Sequence, residues 1–225
     1  MHIEPGIVHG AKMALASATA AGAAGYSAKL VWADLKAHGA APLALRSAIA
    51  TVGTLVFFEV LPHFAAGVSE VHFILGTTLL LLLGTAPAAI GLMAGLLIQG
   101  LLFAPTDLPM YLVNVTTLLV PLLAIAALAR KVVPAGTAYV DLTYKQALKL
   151  STAYQGGVVA WVAFWVLYGQ GAGAETLASL LAFGTAYMVV VVIEPVADLA
   201  VLALAKRCRG GLQGPLVQPR VFHAA

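Results

Sequence analysis

The chain has 225 residues, 61% of them hydrophobic and only 9% charged, with a formal net charge of +3. So few charges cannot cover a water-facing surface, which excludes a soluble globular domain and makes the chain an integral membrane protein. The basic residues are too few and too scattered for a nucleic-acid-binding surface, and the single cysteine, Cys208, excludes an intramolecular disulfide.

The first residues, "MHIEPG", carry no Lys or Arg and no apolar run, unlike the head of a secretory signal peptide. Pro5-Gly6 is a turn signal placed just before the first long apolar stretch. From there the apolar runs predict seven membrane helices at approximately Ile7 to Ser27, Leu43 to Leu61, Glu70 to Thr85, Pro87 to Phe103, Met110 to Arg130, Gln146 to Tyr168 and Thr176 to Ala205. The third and fourth are short and divided only by Thr85-Ala86-Pro87; a helix-turn-helix is favoured there over a re-entrant pair. The runs are continuous rather than alternating, which argues against a β-barrel. The expected fold is an all-α polytopic helical bundle. Residues 1–206 form one transmembrane domain with an N-terminal segment, 1–6, and residues 207–225 form a basic cytoplasmic tail.

Charge sets the expected orientation. Lys29, Lys36 and Arg46 flank the connection after the first run, Arg130, Lys131, Lys145 and Lys149 flank the one after the fifth, and Lys206, Arg207, Arg209 and Arg220 follow the seventh. Eleven of the twelve basic residues thus fall on one side, which the positive-inside rule makes cytoplasmic. The N-terminus is then outside and the C-terminus cytoplasmic. Lys12 is the exception, expected to snorkel or to pair with Glu4.

An external Met1-His2 terminus is a compact chelator. The α-amine, the His2 backbone nitrogen and His2 Nδ1 offer three nitrogens in one plane, a set suited to Ni(II) or Cu(II) and able to accommodate Co(II). His2 is also bulky enough to disfavour removal of Met1. All three groups must be deprotonated to bind, so affinity falls in acid. His72, inside the apolar run "SEVHFILG", is an intramembrane polar residue and therefore a functional candidate. The bland alternative for His72 is a hydrogen bond to Ser69 or to a neighbouring carbonyl. His9 and His63 are weaker candidates; Glu59 precedes His63 by four residues and would share its helix face at the outer rim.

Three pieces of the chain carry a resemblance: "MHI" followed by "PG", the stretch "SEVHFILGTTLLLLLGTAPAAIGLMAGLLIQGLLFAP" from Ser69 to Pro105, and "NVTTLLVP" from Asn114 to Pro121. With these it resembles the CbiM/NikM proteins, the membrane-embedded substrate-binding (S) components of cobalt/nickel energy-coupling-factor (ECF) transporters. The resemblance implies that the N-terminal loop plugs into the bundle from outside. It implies that Co2+ or Ni2+, the transported substrate, is held by the Met1 amine, the amide and imidazole of His2, and His72. Asn114, matching the first asparagine of the family's loop, Ser69 and His63 are the implied supporting residues. Thr117 stands where the family has a second asparagine, and Glu4-Pro5-Gly6-Ile7 departs from its usual continuation.

No G-x-x-x-x-G-K-[ST] stretch occurs, so ATP hydrolysis is expected of separate subunits rather than of this chain. The resemblance implies a transmembrane coupling subunit and two ATPase subunits as partners besides the bilayer, and admits a small accessory membrane subunit. Ala14, Ala18 and Gly22 repeat at four-residue spacing, as do Ala16, Ala20, Ala24 and Ala28. One such small-residue stripe is expected to pack inward and the other to face a partner. Glu194 and Asp198 lie one turn apart in the seventh run, beside Pro195. They are expected to reach Arg130, Lys131 or the basic tail; as a proton relay they would instead make the chain a self-sufficient nickel/cobalt permease. No H-E-x-x-H or G-x-S-x-G stretch supports an enzyme.

Overall fold

The computed structural model describes residues 2–208 and 215–223. Helices α1 (Met13–His38), α2 (Ala40–Leu55), α3 (Gly76–Leu83), α4 (Thr85–Leu102), α5 (Tyr111–Val132), α6 (Tyr144–Gln170) and α7 (Ala174–Arg207) form the bundle. Strands β1 (Phe64–Ala66) and β2 (Ser69–Val71) form an antiparallel hairpin between α2 and α3. Five segments among the described residues are long and apolar enough to cross a membrane: Ala40–Val60, Thr85–Leu102, Pro105–Val132, Tyr144–Gln170 and Ala174–Arg207. The chain is a multi-pass membrane protein.

Two of the seven expected spans need correction. The first helix starts at Met13 rather than Ile7, because the preceding residues are spent on an extended segment and a turn. The third is helical only over Gly76–Leu83. Eight residues rise about 12 Å, less than half a bilayer core. The run from Glu70 to Leu75, read as helix from its apolarity, is the end of a hairpin followed by a non-helical lead. Short apolar runs do not separate helix from buried strand by composition.

Close backbone contact fixes the centre. α4 presents Gly91 and Gly95 to α2; a Cβ on Gly91 would lie 2.3 Å from that of Ala50, and one on Gly95 2.6 Å from Thr54 Cγ2. This is the small-residue packing expected between membrane helices. Gly39 and Gly84 break the chain between helices at φ 85° and 97°, backbone that a side chain would strain. At the start of α6, Thr143 and Gln146 form a reciprocal capping box.

The bundle has two chemically distinct ends. At one, Arg46, almost fully buried, donates to Leu83 O at 2.8 Å and pairs with Asp34 at 2.7 Å. Gln218 Nε2 donates to Leu81 O at 2.7 Å, closing the carbonyl end of α3. Lys206 Nζ reaches Leu142 O at 2.7 Å, and Arg220 lies over the Tyr139 ring. The basic residues therefore cluster around the α1–α2, α5–α6 and C-terminal connections. The other end carries the hairpin, Asp107 and the N-terminal segment. Lys12 sits there, and its Nζ donates to Gly169 O at 2.7 Å rather than pairing with Glu4.

Candidate metal centre

The N-terminal segment enters the bundle as an added strand. Ile3 bridges Ser69 in antiparallel sense. Glu70 N–H donates to His2 O at 2.9 Å, and Glu4 N–H donates to Val68 O at 3.1 Å. Ser69 Oγ donates to His2 O at 3.0 Å, and Asn114 Oδ1 accepts from Ile3 N–H at 2.8 Å. Ile3 is fully buried, as its place between strand and helix requires. Pro5-Gly6 then turn the chain, with Gly6 at φ 89° and Ile7 N–H donating to Glu4 O at 3.2 Å. Beyond the turn, Ile7 lies against α6 so closely that a Cβ on Gly169 would fall 2.1 Å from Ile7 O.

This docking brings two imidazoles to one point. His2 Nδ1 lies 2.9 Å from Glu70 Oε2, and His72 Nε2 lies 2.8 Å from the same oxygen. The ligand atoms of His2, Glu70 and His72 all lie within 4.8 Å of one another. Asp107 Oδ2 stands 3.7 Å from His2 Nδ1. Phe58 packs against both rings, and the His63 ring stacks on His72 with centroids 5.0 Å apart. His2 and His72 are buried, and among the described residues His2 Nε2 and His72 Nδ1 have no hydrogen-bond partner. Gln99 Oε1, lining the same small cavity as His2, Asp107, Tyr111 and Asn114, likewise has no partner among the described residues.

Burial favours the neutral imidazoles. It lowers the pKa of His2 and takes that of His72 down to about 3, against the opposing pull of Glu70. The hydrogen bonds from His2 and His72 hold the Glu70 carboxyl well below the usual range, although burial opposes them. Burial raises the Glu4 carboxyl. The arrangement is two neutral nitrogen donors facing an ionised carboxylate, with a second carboxyl alongside. Such a set attracts a divalent cation, supplies borderline nitrogen ligands and offsets part of the ion's charge.

Of the sequence candidates, His2 and His72 meet, and Ser69 and Asn114 both bond the backbone that carries His2. His63 reaches the site only as a ring stacked on His72; its own Nδ1 lies 3.2 Å from Leu61 O. Glu59 does not share a helix face with it, because the helix ends in a π turn over Val56–Val60 and the chain leaves at Leu61. Met1 lies outside the described residues. Ala14, Ala18 and Gly22 are exposed along α1; of the second stripe Ala16 and Ala20 are buried but Ala24 and Ala28 are exposed, and the buried face continues instead at Ala23 and Ser27, because a helix repeats every 3.6 residues and not every four. Glu194 and Asp198 lie in the interior; among the described residues neither forms an ion pair with Arg130, Lys131 or a tail residue.

Sequence reasoning missed Glu70. It is two residues before His72, and in an extended chain alternate residues share a face. A helical reading of "SEVHF" turned Glu70 away from His72, so the pairing was hidden by the wrong period. Asp107 likewise reaches the site only through the fold.

A family model described as cobalt uptake substrate-specific transmembrane region matches residues 2–212. No curated protein and no solved structure matches the chain.

Proposed function

The chain belongs to the cobalt uptake substrate-specific transmembrane family, and from that premise we propose that it captures Co2+ or Ni2+ for an ECF-type importer. The observation that carries this reading is the convergence of His2 Nδ1 and His72 Nε2 on one oxygen of Glu70, with the three ligand atoms within 4.8 Å of one another. The His2 nitrogen involved is the one that can form a six-membered chelate with its own backbone nitrogen. The Met1 amine completes the set, and the ion enters the place between the two imidazoles. Glu70 and Asp107 stay beside it and balance its charge.

The hairpin end faces outward and the basic end faces the cytoplasm. A transmembrane coupling subunit and two ATPase subunits drive release on the cytoplasmic side, and a small accessory membrane subunit completes some assemblies. The exposed stripe Ala14, Ala18, Gly22 on α1 is the surface for close approach by the coupling subunit.

The test is direct binding of Ni(II) and Co(II) to the detergent-purified chain by calorimetry. His72→Ala abolishes high-affinity binding. Residues added ahead of Met1, which convert the amine to an amide, do the same. Unchanged affinity in the extended protein removes the amine from the ligand set; unchanged affinity in His72→Ala ends the reading.

A further inference from the structure

We propose that Glu194 is a positioning residue for metal capture: from the interior of α7 it clamps the backbone just after His72 and so sets where that imidazole lies. The inference rests on the ligand role of His72 proposed above. α3 begins only at Gly76, so the N–H groups of its lead and first turn have no intrahelical acceptor. Within a membrane protein such groups must be satisfied by other parts of the fold. The residue at the N-cap position is Leu75, whose side chain has no acceptor to offer. Its backbone is left-handed (φ 50°), a conformation that non-glycine residues hold only where the surroundings impose it.

Glu194 supplies that imposition. Its two oxygens accept separately, Oε1 from Ile74 N–H and Oε2 from Leu75 N–H at 3.0 Å. Its oxygens thereby fill acceptor places left open ahead of α3. The clamp is itself held. Gln155 Nε2 of α6 donates to Glu194 Oε2, and Tyr187 OH donates to Gln155 Oε1 at 2.6 Å. Tyr154 closes the underside, so that a Cβ on Gly76 would lie 2.3 Å from its ring. Glu194 is fully buried, and among the described residues no Lys, Arg or His lies within ion-pair distance of it. Among the described residues its hydrogen-bond partners are N–H donors.

Asp198, one turn further along α7, is the internal contrast. It accepts from Thr78 Oγ1, inside α3 and six residues beyond His72. Both acids complete the start of α3, but only Glu194 touches the lead that carries His72. Glu194 therefore determines ligand placement, and Asp198 determines helix stability.

The experiment compares Ni(II) affinity, and the visible ligand-field spectrum of the Ni(II)-loaded protein, for the full chain and for E194Q, D198N and H72A in detergent at neutral pH. A Gln at 194 keeps the shape but sets an amide NH2 against N–H donors. Losing a buried acceptor and setting an amide N–H against a backbone N–H corresponds to roughly 10- to 100-fold. E194Q is expected to weaken Ni(II) binding by about that factor and to shift the ligand-field band; D198N stays within about threefold with an unshifted band. Q155L, which removes the donor holding Glu194, moves affinity and band in the same direction by a smaller amount and serves if E194Q does not fold. The proposal is overturned if H72A abolishes binding while E194Q, or Q155L in its place, retains the full-chain affinity and spectrum. It is also overturned if E194Q and D198N weaken binding equally with no spectral change, which marks a general loss of stability. Normal binding by H72A instead refutes the ligand reading, and this proposal falls with it.

Discussion

Gly169→Ala is the sharpest probe of how the N-terminal segment is seated. The glycine lies near the end of α6 with ordinary helical geometry, so alanine improves its helix propensity by up to about 1 kcal/mol. Its Cβ, however, would stand 2.1 Å from Ile7 O, 2.9 Å from Ile7 C and 3.3 Å from Val8 Cγ2. The first two are backbone atoms and cannot rotate away. A normal carbon–oxygen contact needs the segment to retreat by roughly 1 Å, and overpacking of this kind costs about 1–3 kcal/mol. Retreat at Ile7 pulls on Ile3 and His2 through only a turn. If the strain is released by undocking the segment, Ni(II) affinity falls by about 5- to 150-fold, while the fold loses little, since the helix itself gains. Calorimetric titration with Ni(II), beside thermal unfolding of the metal-free protein, separates the two effects. An alanine variant that binds Ni(II) as tightly as the original chain would refute the claim that docking of Ile7 on α6 places His2.

Two other consequences are open to measurement. Asn114→Leu leaves the buried Ile3 N–H without its acceptor; the expected cost is about 1–3 kcal/mol in unfolding or segment docking, read as a matching loss of Ni(II) affinity, and an unaffected variant would show the bond to be dispensable. Acid should destabilise the metal-free protein. His72 has its folded pKa lowered from 6.5 to about 3 by burial, so between those values the unfolded chain binds more protons and stability falls as pH falls. Glu70, also lowered, acts in the same direction further down. Taking pH 7 to pH 4.5, His72 alone accounts for about 2–3 kcal/mol. Thermal unfolding across that interval in wild type and His72→Phe tests this, because the substitution should flatten the profile; identical profiles would refute the burial argument.

Much of the protein could be read from composition and order alone. A chain with so few charges has only the bilayer as solvent, and apolar runs of membrane length become helices there because no water is available to the backbone. The exposed stripe Ala14, Ala18 and Gly22 follows from four-residue spacing, though the buried face of α1 runs through Ala16, Ala20, Ala23 and Ser27; His2 is picked out by its chelating place beside the terminus, and His72 by the cost of an unpaired imidazole in an apolar run. Local rules reached no further than the segments they act on. The run from Glu70 to Leu75 is apolar enough for a helix. It becomes strand and lead because the N-terminal segment pairs with Ser69 and Val68, and because Glu194, 120 residues away from Ile74, accepts its N–H groups. That tertiary choice turns Glu70 onto the face of His72. It also engages Glu194 inside the bundle rather than with Arg130, Lys131 or the tail, since unpaired N–H groups there demand acceptors more strongly than solvated lysines and arginines demand counter-ions. Residue types and their approximate spans were set by sequence; the point at which two imidazoles and a carboxylate meet was set by which distant backbone each segment found to bond.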